Sequence, residues 1–408
     1  MSFTVRNNQV GGTYDSNHIY YNVSIVNNDV TGAKPPPPII FNEIRNAPYL
    51  ANPQDYFMSV VRFSLDSSTL PIFIPQAQQG QTNINLTIYS VTLEQTVGPT
   101  TYTQQTFVIF VPQNPNEPLP SPPVDFVDLR NSYYFVYSFE AFCDMVNTAF
   151  ATCLTALNAQ ITAGGGTPTT TLPPFLSWQA GSFLATLNTP VLTSSFPYDY
   201  KNASGIRIYM NAPLYNLFSS FKAKNLSSST GSSVITNGKN FQLLITNENG
   251  QNIIPKNSGS PAPFWAYPND ILYMTEEYET TPLWNPVQSI VFTTGFLPVV
   301  PELTAVPVVF GADTQYFNAG NNSNITNTLT DFEVGLTTGA DYKPLIQYTP
   351  SGEYRLVDLF GNNPISSIEI RIFWKDAYGN LYPFLLGPDC NCSIKIMFRK
   401  KTLYNNDL

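Results

Sequence analysis

Short segments in which apolar and polar residues alternate recur along the whole chain. A period of two, with many β-branched and aromatic residues and turn residues at both ends, is typical of β-strands with one buried face. The pattern predicts strands over residues 18–26, 56–65, 83–93, 102–112, 241–246, 289–293, 368–374 and 393–398. Proline-rich stretches at 35–38 and 112–123 punctuate them. Many short strands with proline-bearing loops favour a sandwich or jelly roll over a parallel α/β sheet.

One segment has the helical period instead. Apolar residues recur at steps of three and four from Phe142 to Leu157, with polar residues on the opposite face. Ser138 is the predicted N-cap, Glu140 lies in the first turn, and the helix is expected to end before Gly164. Packing against a sheet is enough to explain this apolar stripe. A second, shorter helix is predicted over 213–222.

The domain organisation is predicted from one linker candidate. Residues 164–174 combine three glycines with Thr and Pro, which is typical of a linker. They would separate an N-terminal β-sandwich ending in a helix, residues 1–163, from a C-terminal β-sandwich, residues 175–408. This organisation is a double jelly roll. The alternative is a single jelly roll with a large insertion, and it is favoured by a weak repeat whose copies begin at Asn52 and Asn285, at unequal places in the two halves.

The composition suits a surface that is buried against neighbouring molecules. Only 12% of residues are charged while 14% are aromatic, and removing a charge from water costs far more than removing an amide or hydroxyl. The net charge of −9 argues against a nucleic-acid surface. Lys395 and the run Arg399–Lys401 are interpreted as a solvated basic end, with contact to nucleic acid or anionic lipid as the alternative. No apolar run reaches the ~18 residues of a transmembrane segment.

The cysteines predict neither a disulfide nor a metal site. Cys143 and Cys153 are ten helical residues apart, about 15 Å along the axis, which is too far for a bridge. Cys390 and Cys392 flank one residue, and neither spacing matches a zinc pattern. Together with an N-terminus that lacks a secretory signal, this indicates reduced thiols and synthesis in a reducing compartment. No metal and no cofactor are expected.

The titratable residues do not form a catalytic signature. His18 is the single histidine and stands in an alternating segment without a nucleophile motif. Glu276, Glu277 and Glu279 form the densest acidic cluster, but alternation in a strand would place the first two on opposite faces. We therefore predict that the protein is not an enzyme and assign no catalytic, cofactor-binding or metal-binding residue.

Four tryptophans leave a second functional class open. Aromatic platforms bind sugars, so a carbohydrate-binding or host-attachment β-sandwich module is the alternative function. The tryptophans are Trp178, Trp265, Trp284 and Trp374. Trp374 stands in an apolar strand and Trp284 precedes a proline turn, and both positions favour ordinary packing.

The C-terminal half resembles a viral family. Residues 353–359 (EYRLVDL), 370–376 (IRIFWKD) and 393–401 (SIKIMFRKK), with 285–294 (NPVQSIVFTT) before them, are similar to the C-terminal parts of jelly-roll capsid proteins of small eukaryotic double-stranded DNA viruses, of the Polinton-like and virophage kind. The likeness covers roughly residues 211–401.

The resemblance implies a structural protein of an icosahedral capsid, which self-assembles through jelly-roll domains into capsomers. Its partners would be itself, as a trimer or pentamer, and other capsid proteins; it would reside in the virion after assembly in the host cytoplasm or nucleus. Capsid proteins that line a genome often carry a basic arm, whereas this N-terminus has only Arg6, so little or no nucleic-acid contact is expected. A double jelly roll would give trimers and a single one pentamers. The sequence leaves open which of them forms, and whether the protein is a major or a minor capsid component.

Overall fold

The computed structural model describes residues 18–114, 117–124, 131–193, 195–226, 238–247, 252–254, 270–304, 308–309, 315–316, 324–333, 345–348 and 355–401. The chain divides into two compact units. Unit 1 combines both ends of the chain, Met1–Leu70 and Pro286–Leu408, and unit 2 is the continuous stretch Pro71–Asn285.

Unit 1 contains two antiparallel sheets, with strands numbered in chain order. The first sheet has the order β1 (His18–Val26), β23 (Asn391–Lys400), β3 (Tyr56–Asp66) and β19 (Leu345–Tyr348), and β20 (Val357–Asp358) also pairs with β3. The second has the order β18 (Thr328–Glu333), β13 (Ser289–Thr293), β21 (Ser367–Lys375) and β2 (Ile40–Ile44), and β22 (Leu381–Pro383) pairs with β21. Two short ribbons join β14 (Glu302–Thr304) to β17 (Asn324–Thr326) and β15 (Val308–Val309) to β16 (Gln315–Tyr316).

The strand order of unit 1 is that of a jelly roll. Its eight main strands follow the chain as β1, β2, β3, β13, β18, β19, β21 and β23. The first sheet therefore joins the first, eighth, third and sixth strands, and the second joins the second, seventh, fourth and fifth. The two sheets share one core, where the ring of Phe63 on β3 lies 5.2 Å from Phe292 on β13 and 4.7 Å from Phe332 on β18. The prediction of a mainly β, jelly-roll protein is confirmed.

Unit 2 is a second β-rich body with two helices. One sheet has the order β5 (Thr100–Ile109), β4 (Leu86–Val97), β8 (Arg207–Met210), β10 (Phe241–Leu243) and β9 (Ala223–Asn225). The other has the order β11 (Ile253–Ile254), β12 (Ile271–Thr275), β7 (Leu184–Pro190) and β6 (Phe175–Gln179). The helices are α1 (Phe139–Ala163) and α2 (Ala212–Leu217).

Helix α1 forms where the sequence predicts it. It begins after Ser138, ends at Gly164 and buries the predicted apolar stripe, including Phe142 and Phe150 at 0% exposure. The side chain of Asn147 accepts a hydrogen bond from Leu176 N–H (2.6 Å) and donates one to Leu176 O (2.9 Å). This pair of bonds fixes α1 to β6.

The division into units differs from the predicted boundaries. Residues 164–174, the predicted linker between residues 1–163 and 175–408, lie inside unit 2. They connect α1 to a strand that packs on it, and Asn158 Nδ2 donates to Thr170 O at 2.9 Å. The predicted N-terminal half is divided in turn, because β1 pairs with β23 along its whole length. Of the two arrangements considered, the topology matches the single jelly roll with a large insertion.

Candidate assembly surface

A group of exposed apolar side chains lies in unit 1, on two segments that pair outside the main sheets. Val299 forms a β-bridge with Leu359, and Phe360 N–H donates to Pro298 O at 3.0 Å. Side chains alternate along such segments. Val299 and Leu359 are therefore buried, whereas Val300 is 65% and Phe360 51% exposed. With Phe296 at 52% exposure, these three residues define the apolar patch (Phe296, Val300, Phe360).

The turn that carries Phe296 is held in place by buried polar groups. The hydroxyl of Thr294 donates to Glu369 O (2.7 Å) and accepts the N–H groups of Phe296 (3.2 Å) and Leu297 (3.1 Å). The N–H of Gly295 donates to Glu369 Oε2 at 3.0 Å. A Cβ atom at Gly295 would lie 2.4 Å from that oxygen, so any other residue there would displace the Glu369 carboxylate. The apolar patch therefore starts from a fixed turn.

Sheet edges of unit 1 offer further surface for assembly. Strand β2 is the last strand of its sheet, and its outward side chains Ile40 and Ile44 are 42% and 74% exposed. An exposed edge strand with apolar side chains is a template for contact with another chain. The apolar patch and the edge strand β2 both lie among the described residues of unit 1.

The titratable residues that the sequence analysis considered and rejected as catalytic take part in sheet pairing or packing. His18 is opposite Arg399 in the sheet and stacks on Tyr20. Burial, and then the charge of Arg399, lower the pKa of this imidazole. The charged imidazole is thus disfavoured at this sheet position, where the side chain stacks on Tyr20.

The residues of the acidic cluster Glu276, Glu277 and Glu279 differ in how far they are buried. Glu276, directly after β12, is 3% exposed, whereas Glu277 is exposed. Glu276 Oε2 accepts Ala185 N–H at 2.8 Å and Oε1 accepts the Thr280 hydroxyl at 3.1 Å. Glu279 accepts a hydrogen bond from the Thr281 hydroxyl. The carboxyl groups of Glu276 and Glu279 are therefore each used in local hydrogen bonds.

All four cysteines are free thiols. Cys143, Cys153 and Cys392 are buried, and burial raises the pKa of each of these thiols. Among the described residues, no three His, Cys, Asp or Glu side chains come close enough to hold a metal ion. In the same part of the chain, no helix is long and apolar enough to cross a bilayer.

The tryptophans proposed as a sugar platform are mostly packing residues. Trp284 is 3% exposed and donates its indole N–H to Leu217 O at 2.7 Å. Trp374 is 1% exposed and stacks on Tyr382. Trp178 stacks on Phe139, and Trp265 lies outside the described residues.

The basic C-terminal residues belong to β23 and the residue after it, and they take part in local contacts. Lys395 Nζ lies 4.9 Å above the ring of Tyr20, and Lys401 Nζ lies 2.9 Å from Asp358 Oδ1. These contacts account for part of the basic group without a nucleic-acid or lipid partner.

Comparison with known proteins identifies the family. The profile described as "Sputnik minor capsid protein V18/19" matches residues 19–400. Two proteins of the Sputnik virophage each match part of the chain. "Structural protein V19" is 27% identical over 50% of this chain and 86% of its own length. "Uncharacterized protein V18" is 37% identical over 31% of this chain and 77% of its own length.

Two solved structures share the fold over nearly the whole chain. A chain of the Sputnik virophage, solved by cryo-EM, is 28% identical with a TM-score of 0.74 and covers 96% of this chain and 99% of its own. The mavirus penton protein is 16% identical with a TM-score of 0.58, covers 94% and 99%, and shows the fold alone. The suspected likeness to virophage capsid proteins is confirmed, as is a structural role in the virion. The chain belongs to the Sputnik virophage minor capsid protein V18/19 family.

Proposed function

We propose that this chain is the vertex subunit of an icosahedral capsid and that five copies surround each fivefold axis. The observation that carries the proposal is the strand order of unit 1, a single jelly roll with unit 2 inserted between its third and fourth strands. With one jelly roll per copy, five copies supply the five jelly rolls of a fivefold vertex. With two jelly rolls per copy, three copies would supply six and imitate a sixfold tile. The penton role named for the mavirus protein of the same fold agrees with this assignment.

The apolar patch is the part of unit 1 that we assign to contacts with a neighbouring capsid subunit. Val300 and Phe360 expose more than half of their side chains, and burial of such groups drives association. The nearby Asp358 is paired with Lys401, so a neighbour does not have to desolvate an unpaired carboxylate there.

Native mass spectrometry of the purified full-length chain tests the proposal. We expect an assembly of five copies of the 45.3 kDa subunit. Val300→Asp should remain monomeric, because a charge in a buried apolar contact costs several kcal/mol, about 3 or more. Val30→Asp is the matched control: Val30 is 71% exposed but lies in a turn beside Asp29 and Lys34. A trimer, or a wild-type monomer at high concentration, would contradict the vertex assignment.

We further propose that the chain works without catalysis, cofactor or extensive nucleic-acid contact. This proposal is supported by the family of structural proteins to which the chain belongs, and by the internal contacts of His18, Glu276, Lys395 and Lys401. Purified protein should show no turnover in broad hydrolase and transferase screens and no metal in elemental analysis. Stoichiometric zinc, or an activity that His18→Ala abolishes, would overturn this part of the proposal.

A further inference from the structure

The free edge of strand β2 carries backbone hydrogen-bonding groups that face away from its own sheet. Arg45 N–H donates to Ser366 O at 2.8 Å, and Ile372 N–H donates to Ile39 O at 3.2 Å. Both pairs continue the register in which β2 lies opposite β21. Because hydrogen-bonded and non-hydrogen-bonded pairs alternate along an antiparallel ladder, the odd-numbered residues of β2 bond to β21. The N–H and C=O groups of its even-numbered residues therefore point outward.

Three residues of β2 present these outward groups, Ile40, Asn42 and Ile44. All three residues are exposed, and their backbone groups have no hydrogen-bond partner among the described residues. Their side chains share the outer face of the sheet, where apolar, polar and apolar residues follow one another at alternate positions. An edge with open backbone groups and apolar side chains is a template for adding a strand from another chain.

Side chains close two other sheet edges of this protein. In unit 1, Arg355 Nη1 donates to Asp331 O at 3.0 Å, on the strand β18 at the opposite edge of the same sheet. In unit 2, the Asn147 amide bonds to both the N–H and the C=O of Leu176 on the edge strand β6. Covering an edge in this way prevents pairing with another chain. The described residues supply no such cover for β2.

The open edge is continuous with the apolar patch. Asn42 lies opposite Glu369 in the sheet, and Glu369 Oε2 accepts the N–H of Gly295, which directly precedes Phe296 of the patch. Opposite residues of an antiparallel pair have Cα atoms about 5 Å apart. A subunit that covers the apolar patch therefore also reaches β2.

We propose that β2 receives an extended segment of the neighbouring copy as an additional strand of its sheet. The inference rests on the vertex assignment, which places a second copy of this chain beside the apolar patch. Contacts around a fivefold axis are head-to-tail, so the added segment is a part of the neighbour other than its own β2. The backbone of this segment bonds to the outward groups of β2. Its side chains cover Ile40 and Ile44 as cross-strand neighbours.

Hydrogen–deuterium exchange, resolved to single residues by mass spectrometry, tests this pairing in the full-length chain. In the assembled wild type, the N–H groups of the three even-numbered residues of β2 should exchange at least about tenfold more slowly than in the monomeric variant Val300→Asp. The N–H groups of Phe41 and Glu43 bond to β21 and should exchange slowly in both proteins. Protection that changes only at alternate residues distinguishes strand addition from simple burial of side chains.

A proline substitution tests the same contact through assembly. Asn42→Pro removes one outward N–H and leaves the hydrogen bonds to β21 in place. In native mass spectrometry, it should raise the concentration at which half of the chain is assembled about tenfold or more. Asn42→Thr keeps the N–H and should assemble as the wild type does. Added to Val300→Asp, Asn42→Pro should leave the melting temperature of the monomer unchanged.

The strand addition and the vertex assignment fail separately. A pentamer in which the outward N–H groups of β2 exchange as fast as in Val300→Asp overturns the strand addition alone, as does a pentamer that Asn42→Pro leaves intact. Slow exchange of these groups in a trimer contradicts only the vertex assignment. A dimer joined by the β2 strands of both copies, or a wild-type monomer, overturns both.

Discussion

Glu276→Gln should make the stability of this protein less dependent on pH. Burial raises the pKa of the Glu276 carboxyl to about 7, although hydrogen bonds from Ala185 N–H and from Thr280 and Ser220 oppose the increase. The nearby α1 acids Glu140 and Asp144 and the Cys143 thiol bring no positive charge to the site. The hydrogen-bond partners of Glu276 are neutral, so ionisation at alkaline pH leaves a buried carboxylate.

The magnitude follows from linkage between protonation and folding. The unfolded chain titrates at 4.5 and the folded chain at about 7, a difference of about 2.5 units, or about 3 kcal/mol. Because the folded chain holds the proton more tightly, this stabilisation is complete below pH ~4.5. It is lost as the pH rises through about 7. Glu43 and Glu94 have lowered pKa values and act in the opposite direction, but they are present in both proteins.

Urea denaturation of wild type and Glu276→Gln over a pH series measures the effect. The glutamine keeps one oxygen for Ala185 N–H, and the variant should be about 2–3 kcal/mol more stable than wild type near pH 8. Near pH 5 the two should be nearly equal. Glu277→Gln, at the exposed neighbour, is the control. A constant difference at all pH values, or a variant that is less stable near pH 8, would refute the reasoning.

Three further predictions concern packing, a turn and the thiols. Phe63→Ala should lower the unfolding free energy by about 3–5 kcal/mol in urea denaturation, because its ring extends from the first sheet of the jelly roll and packs against Phe292 and Phe332 of the second. Asp376→Ala should cost about 2 kcal/mol in the same assay, because Asp376 accepts Tyr378 N–H and Asn380 N–H, each at 2.9 Å. In native protein, iodoacetamide should label Cys390 and spare the three buried cysteines, as seen by peptide mass spectrometry; rapid labelling of Cys153 would contradict the burial.

Local elements were predictable because their signals are local. The alternating segments at 18–26 and 289–293 have the bounds of β1 and β13, and the helical period locates α1. The second helix is shorter than predicted, Ala212–Leu217 rather than 213–222. A single sequence contains no signal for which strands pair, so the contact of β1 with β23 and the resulting division into units were not predicted. The Gly- and Pro-rich residues 164–174 resembled a linker because the sequence does not show that the elements on either side of them, α1 and β6, pack together inside unit 2.

The candidate surfaces were harder to predict than the strands. Phe360 and Val300 are single apolar residues in loops, and only the bridge between Val299 and Leu359 brings them to one face. Alternation along the strand separates Glu276 from Glu277 but does not say which of the two is buried, and the backbone bond from Glu276 N–H to Ala185 O places Glu276 in the interior. In each instance the deciding contact joins residues that are distant in the sequence.

Cryo-EM of virus particles that contain this chain tests its vertex role most directly. The proposal predicts density for the jelly roll of unit 1 in five copies around each fivefold axis. Neighbouring capsid subunits should cover Val300 and Phe360. Density for this chain in trimeric tiles away from the fivefold axes, or its absence from the capsid shell, would contradict the central claim.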